Sequence, residues 1–453
     1  MKRLRALIGV LLVITFVLAA CAQPAPVSAP SAAAPAAAPT SAPGAKPTTA
    51  PAAQPAAGGG GGSKTLVIGF TTSQTGSLTK ESKEQVQGLQ LWLADLEKAG
   101  GLKLKDGTAI KFQFKSYDDE STKDRVQQLY TKLSTEDKAD FLISPYSSGL
   151  ADAAAVVAEQ YNKVMIVAGA SSDGTFQKGF QNIYMIYTPA SRYLTGAVDA
   201  LKAWDANAKK VAIIHENEKF STDVVNAAKP YAEKQGFQIT LFEGYDTGTA
   251  DFGPLINKIT GGQPDAIIGG GHFQDGSTLA KQLLEKKAQP KMVAILVAPS
   301  LPEFAQLGDS AIGIVGPSQW ETLAKYSTEA AKAAGVTWYG PSVATFVDEY
   351  KAKYGYEPGY HAAGGYATGL LFQKAIEDGN STDSAAVKAA LDKSDLMTFY
   401  GRIKFDTGKA HGLQLGHDMV YLQWQKGADG KPVRQIVWPA AAKTADAIYP
   451  LGK

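Results

Sequence analysis

Ser144-Pro145-Tyr146-Ser147-Ser148-Gly149 follows the apolar run Ala139–Ile143 and precedes the alanine-rich segment Leu150–Gln160. The order reads as a strand, a tight loop and a helix N-terminus. Serine hydroxyls at such a point cap the helix. The first backbone N–H groups of a helix lack internal partners and, with the helix dipole, favour an anion such as a carboxylate. Two readings of Ser147 and Ser148 therefore stand: plain caps, or an anion seat. A second loop of the same kind, Gly169-Ala170-Ser171-Ser172-Asp173, follows the apolar run Val164–Ala168. The repetition favours the seat.

Upstream, Thr65–Thr72 reads as a buried strand, followed by the polar turn Ser73-Gln74-Thr75-Gly76-Ser77. Val86, Leu89, Leu93 and Leu96 fall at helical spacing, and Gly100-Gly101 ends that helix. Ile110, Phe112 and Phe114 alternate as in a strand, and Arg125–Leu133 is helical again. This is the alternation of a mainly parallel sheet with helices on both faces.

Downstream the alternation restarts. Lys210–His215, Gln238–Phe242, Asp265–Gly271 and Lys291–Ala298 read as strands. Thr222–Gln235, Phe252–Thr260 and Ser277–Lys287 read as the helices between and after them, with a short helix near Pro302–Leu307. Ile183–Tyr187 with Thr188-Pro189 is a candidate crossing between two lobes of similar build. Ile312–Gly316 and Pro317-Ser318-Gln319-Trp320 mark a second. Helices are expected at Val343–Tyr354, His361–Asp378 and Ser384–Ser394, then strands at Arg402–Asp406, Met419–Gln425 and Val433–Trp438. That order returns the chain to the first lobe and then to the second. The expected division is 64–188 and 318–400 for one lobe, 189–317 and 401–453 for the other.

Composition is that of an ordinary globular chain long enough for two or three domains: 453 residues, 45% hydrophobic and 19% charged. A net charge of +2 with scattered lysines gives no basic run for nucleic acid. At the N-terminus, Lys2, Arg3 and Arg5 precede the uncharged run Ala6–Ala20. A basic start and a short apolar run make a secretory signal, expected over 1–20. The run is shorter than the roughly 20 residues a spanning helix needs. Cys21 is the only cysteine and stands at the cleavage point, so no internal disulfide or multi-cysteine metal site is available. Leu18-Ala19-Ala20-Cys21 resembles a bacterial lipobox, which implies a lipid-modified Cys21 holding the chain at the outer face of the cell membrane. Residues 21–63 are almost entirely Ala, Pro, Gly, Ser and Thr, cannot build a core, and read as a tether.

No GxGxxG follows a strand. Gly269-Gly270-Gly271 runs into His272-Phe273-Gln274-Asp275-Gly276, which is neither that fingerprint nor a phosphate loop with its lysine. HExxH and the GxSxG elbow are absent, and the five histidines are dispersed. No cofactor or metal is expected. A hydrolase on an α/β scaffold would need a nucleophile–base pair that the sequence does not offer.

The Thr75-Gly76 loop, Ser144–Ser148 and Gly169–Asp173 together resemble the branched-chain amino acid (Leu/Ile/Val-binding) family of ABC-importer solute-binding proteins. Pro189-Ala190-Ser191-Arg192-Tyr193, Tyr366-Ala367 and Phe399-Tyr400-Gly401-Arg402-Ile403-Lys404-Phe405-Asp406 add to the likeness. Similarity runs from Lys64 to the C-terminus. It implies the type 1 periplasmic-binding fold: two Rossmann-like lobes, a three-crossover hinge, and a ligand in the cleft between them. That agrees with the rule that open α/β sheets bind at the C-terminal ends of their strands.

The resemblance implies that Ser147, Ser148, Ala170 and Ser171 grip a ligand carboxylate. Across the cleft it points to Phe220 and His272, where the family usually has an aromatic residue and a tyrosine. The acid that holds an α-ammonium in the amino acid binders would lie near Ser300. Here that loop reads Pro299-Ser300-Leu301-Pro302-Glu303, so Glu303, Glu81, Asp275 and Glu216 are all candidates. Tyr193 and Arg192 can line the cleft, and Trp320 either stacks on a ligand or fills a core. Implied partners are a small amino acid or related carboxylate, ABC permease and ATPase subunits, and the membrane through the lipid anchor; the chain itself is expected to be a monomer. An extracytoplasmic sensor acting through a membrane receptor is the alternative.

Overall fold

The computed structural model describes residues 62–451, and the expectations for the signal, Cys21 and most of the tether lie outside them. The first sheet takes β1 (Ser63–Thr72), β2 (Leu102–Lys103), β3 (Ala109–Asp118), β4 (Phe141–Ile143), β5 (Met165–Val167) and β6 (Ile183–Met185). Their spatial order is 2-3-1-4-5-6, and all pairings are parallel except the short edge strand β2. The central strands β4, β5 and β6 and most of β1 are buried, as helices cover both faces there, whereas β3 alternates, with Lys111 and Gln113 exposed.

The chain then builds a second sheet from β7 (Lys210–Glu216), β8 (Gln238–Tyr245), β9 (Ala266–Gly270), β10 (Met292–Ile295) and β11 (Val315–Ser318). It next returns to the first lobe. β12 (Thr337–Trp338), β13 (Asp395–Thr398) and β14 (Gly401–Lys404) form a small sheet of their own, which the sequence pattern had not separated. Ile403 and Phe405 belong to the first lobe's core, so the chain rejoins the second sheet only at β15 (Val420–Lys426), followed by β16 (Pro432–Trp438). β15 pairs antiparallel with β11, and β16 pairs antiparallel with β15 at the edge of the sheet.

Within the first lobe the helices Thr79–Lys98 and Tyr360–Gly379 pack backbone to backbone. A Cβ on Gly88 would collide with the Ala362 carbonyl, and one on Gly365 with that of Gln85. This close approach matters because Tyr360, which opens the second helix, reaches the cleft.

Three segments cross between the lobes, and their polar groups are tied to one another. The Thr188 N–H donates to Gln319 Oε1 at 2.8 Å, and the Thr188 hydroxyl donates to the His417 carbonyl at 3.1 Å. His417 Nε2 lies 2.7 Å from the Gln319 carbonyl. Each crossing contributes one member of this buried knot.

Candidate functional site

On the first lobe, β4 ends at Ile143 and the helix Ser148–Gln160 begins five residues later, with Ser147 in extended geometry at its cap. The Ser147 carbonyl accepts the Ala151 N–H at 2.7 Å. Ser148 Oγ accepts the Ser171 N–H at 3.1 Å, which binds the two serine loops into one surface. Ser144 Oγ accepts the Ala168 N–H at 3.1 Å and fixes the second loop where it leaves β5. The Ser171 carbonyl takes the Ala190 N–H at 2.7 Å, linking this surface to the first crossing.

On the second lobe, Glu218 caps the helix Lys219–Lys234. Its carboxylate accepts the N–H groups of Phe220 at 2.8 Å and Ser221 at 2.5 Å. Glutamate is not among the favoured cap residues, so its placement there is informative. Phe220 sits on the first turn and meets Tyr193 edge-on, ring centroids 5.1 Å apart. His272 caps the helix Phe273–Glu285, and its N–H donates to Asp275 Oδ1 at 2.7 Å.

The lobes touch across the cleft. The Tyr146 hydroxyl lies 2.9 Å from His272 Nδ1, and the Phe273 N–H donates to Glu81 Oε1 at 3.0 Å. The Ser172 hydroxyl donates to Asp223 Oδ2 at 2.5 Å. Between these contacts lies a cavity of about 210 Å³. Ser147, Ser148, Ala170 and Ser171 line one wall, with Tyr146, Tyr187 and Tyr360; Tyr193, Phe220 and His272 line the other.

The electrostatics are dominated by carboxylates. Burial opposes the charge on His272, but Glu218, Glu216 and Glu81 outweigh it and push the imidazole up to about 10. Burial also opposes ionisation of Glu218, yet His272 and the Ser221 N–H hold it down at about 2. Asp275 is pushed up to about 7 by burial and then by Glu216. Burial also raises Glu81. Glu216, Glu218 and His272 carry donor atoms within 4.8 Å of one another, a spacing a metal ion can draw together. His272 is already engaged at both ring nitrogens, by Tyr146 at 2.9 Å and by Glu218 at 3.8 Å.

Comparison with known proteins accords with this two-lobed geometry. A family profile described as periplasmic binding protein matches residues 65–431. The chain belongs to the periplasmic binding protein family. That family consists of binding proteins rather than enzymes and works outside the cytoplasmic membrane, which places this member extracytoplasmically. Leu/Ile/Val-binding protein homolog 7 of Brucella suis is 25% identical over 407 residues, covering 87% of this chain and 96% of its own. Among solved structures, the branched-chain amino acid transporter substrate-binding protein LivJ of Streptococcus pneumoniae, in complex with isoleucine, superposes with a TM-score of 0.67. Its identity is 23%, over 83% of this chain and 100% of its own. A solute-binding protein of an ABC transporter from Rhodopseudomonas palustris, in complex with 3,4-dihydroxybenzoic acid, gives a TM-score of 0.70 at 20% identity, covering 86% and 99%.

In this periplasmic binding protein, the expected residues Ser147, Ser148, Ala170, Ser171, Tyr193, Phe220 and His272 converge on one cavity. Trp320 does not line it. The indole packs edge-on against Phe346 and Phe399 in the first lobe's core and donates its N–H to the Phe399 carbonyl at 2.9 Å. Glu81 lies behind the cavity, fully buried, holding the second lobe through Phe273. The loop near Ser300 is closed to a ligand: Ser300 is fully buried, and its carbonyl accepts from Arg434. Arg192 points outward, 3.6 Å from Asp418. Sequence reading missed Tyr146, Tyr187, Tyr360 and Glu218. Tyr146 and Glu218 each stand within two residues of a predicted contact, in strand-end loops, which is the one signal that could have found them.

Among the described residues no helix is long and apolar enough to cross a membrane.

Proposed function

We propose that this protein is the solute-binding component of an ABC importer, closing its lobes on an amino acid or a related small carboxylate or amide. The observation that carries this reading is the meeting of the two serine loops with Phe220 and His272 around one buried cavity. A carboxylate at Ser147, Ser148 and Ser171 would take hydroxyl groups and the free N–H groups of a helix N-terminus, while the aromatic rings pack the rest of the ligand. Only the closed arrangement lets one ligand touch both walls, so binding energy favours closure. The first lobe is read as 64–188 and 318–400, extended through Phe405, and the second as the remainder. Cys21 is read as the lipid-anchored residue, with 22–63 as the tether that lets a monomer reach its permease and ATPase partners.

A thermal-shift screen of the purified chain against amino acids, amides, short-chain acids and aromatic acids tests the reading. A ligand at about 100 times its dissociation constant adds roughly 2.7 kcal/mol. The expected result is a clear rise with at least one carboxylate-bearing compound. No rise across the panel at saturating concentrations would contradict it.

A further inference from the structure

Two further chambers of the same cleft, about 480 and 460 Å³, share lining residues with the inner cavity. The nearer shares Ser147 and His272 with it, the farther His272. Glu216 lines both outer chambers, with Glu218 in the nearer and Asp275 in the farther. Glu216 is only 5% exposed, yet its Oε2 accepts no hydrogen bond. A side chain at position 271 would strike both Glu216 Oε2 and Asp275 Oδ2, so these two oxygens converge on one point beside Gly271. Two buried carboxylate oxygens turned together without a cation are costly. Asp275 Oδ2 accepts the Tyr245 hydroxyl, so the oxygen left without a partner is Glu216 Oε2, and the cations nearby are committed or placed elsewhere. Lys219 pairs with Asp223 at 3.3 Å, His272 pairs with Glu218, and Lys123 lies at the Ser147–Gly149 end of the nearer chamber.

We infer that the ligand is elongated and bears a cationic group, an ammonium or guanidinium, at the end remote from its carboxylate, which Glu216 and Asp275 receive. The inference rests on the carboxylate seat proposed above. An α-ammonium is one bond from the carboxylate-bearing carbon and would stay in the inner cavity. The Glu216–Asp275 pair lines only the outer chambers, so the cation that meets it belongs to the ligand's tail. A metal ion suits the site less well. Both Glu218 oxygens already accept helix N–H groups, and both His272 nitrogens are engaged.

The test is calorimetric titration of the purified chain with arginine, lysine, citrulline, norleucine and zinc chloride. Citrulline nearly matches arginine in shape but lacks its charge. Arginine or lysine should bind at least about tenfold tighter than citrulline or norleucine, as expected for charge-assisted hydrogen bonds. Glu216→Gln should erase that preference while leaving norleucine unchanged. Equal or tighter binding of the neutral compounds would overturn the inference and leave the carboxylate reading standing. Zinc binding that is lost in Glu216→Gln, without any preference for the cationic amino acids, would replace the inferred group with a metal. Failure of every organic compound to bind would overturn this inference and leave the carboxylate reading to the wider thermal-shift panel. The arginine–citrulline comparison in the unsubstituted chain decides the matter even if the variant folds poorly.

Discussion

Tyr146 and His272 come from opposite lobes, and the hydroxyl of one lies 2.9 Å from Nδ1 of the other. Both side chains are buried, and both line the inner cavity. The contact exists only while the lobes are together. Tyr146→Phe removes the hydroxyl and leaves a buried imidazole nitrogen unpaired, at a cost of about 1–3 kcal/mol. Because that cost falls on the closed state, ligand affinity should drop by roughly tenfold with little change in unfolding of the separate lobes. Calorimetric titration with the best ligand reads this directly. Unchanged affinity would mean that the contact does not help hold the lobes.

Stability of the ligand-free protein should fall from about pH 5 to pH 8. His272 rises from 6.5 to about 10 on folding, so its contribution is complete below 6.5 and is lost as pH climbs through 10. Asp275 rises from 3.8 to about 7, facing Glu216, Tyr245 and His272. Its contribution is complete below 3.8 and is lost through pH 7. Glu218, held at about 2, is fully stabilising above 4.5 and changes nothing in this window. Melting temperatures across the range should decline, and Asp275→Asn should flatten the part below pH 7. A profile that rises with pH would contradict the assignment.

Gln319 holds two other crossings at once, through its side chain to Thr188 and its carbonyl to His417. Gln319→Ala strands the buried Thr188 N–H and should cost about 1–3 kcal/mol in chemical unfolding. A loss under about 0.5 kcal/mol would show that the knot is dispensable.

Trp320→Ala should destabilise by about 3–5 kcal/mol, because it empties a buried site between Phe346 and Phe399. Ligand preference should be unchanged in whatever fraction folds. Altered specificity in a titration would restore the stacking role.

The alternation of apolar runs and helical spacing made both sheets legible, because buried parallel strands carry continuous apolar residues. The serine loops were legible for the same reason: they sit where strands meet helix N-termini. What local pattern does not carry is closure. Tyr146 stands inside the first stretch read, yet its reach to His272 depends on the second lobe. Tyr187 and Tyr360 enter the cavity only because the crossings and the close Gly88–Gly365 packing bring them there. Glu216 and Asp275 stand among the acids the sequence offers, whereas Glu218 is fixed only by the fold, which turns its carboxylate onto the Phe220 and Ser221 N–H groups beside His272. Trp320 follows a crossing, and position alone does not tell a core from a cleft.

The most direct test of the central claim is calorimetric titration of the Ser147→Ala/Ser171→Ala double variant with the best ligand from the thermal screen. Hydrogen bonds to a charged group contribute about 1.5–3 kcal/mol each, so losing two should lower affinity by at least about 100-fold while the melting temperature without ligand stays close to that of the parent. Affinity within about twofold of the parent would show that the two serine loops do not hold the ligand, and the site would have to be sought elsewhere in the cleft.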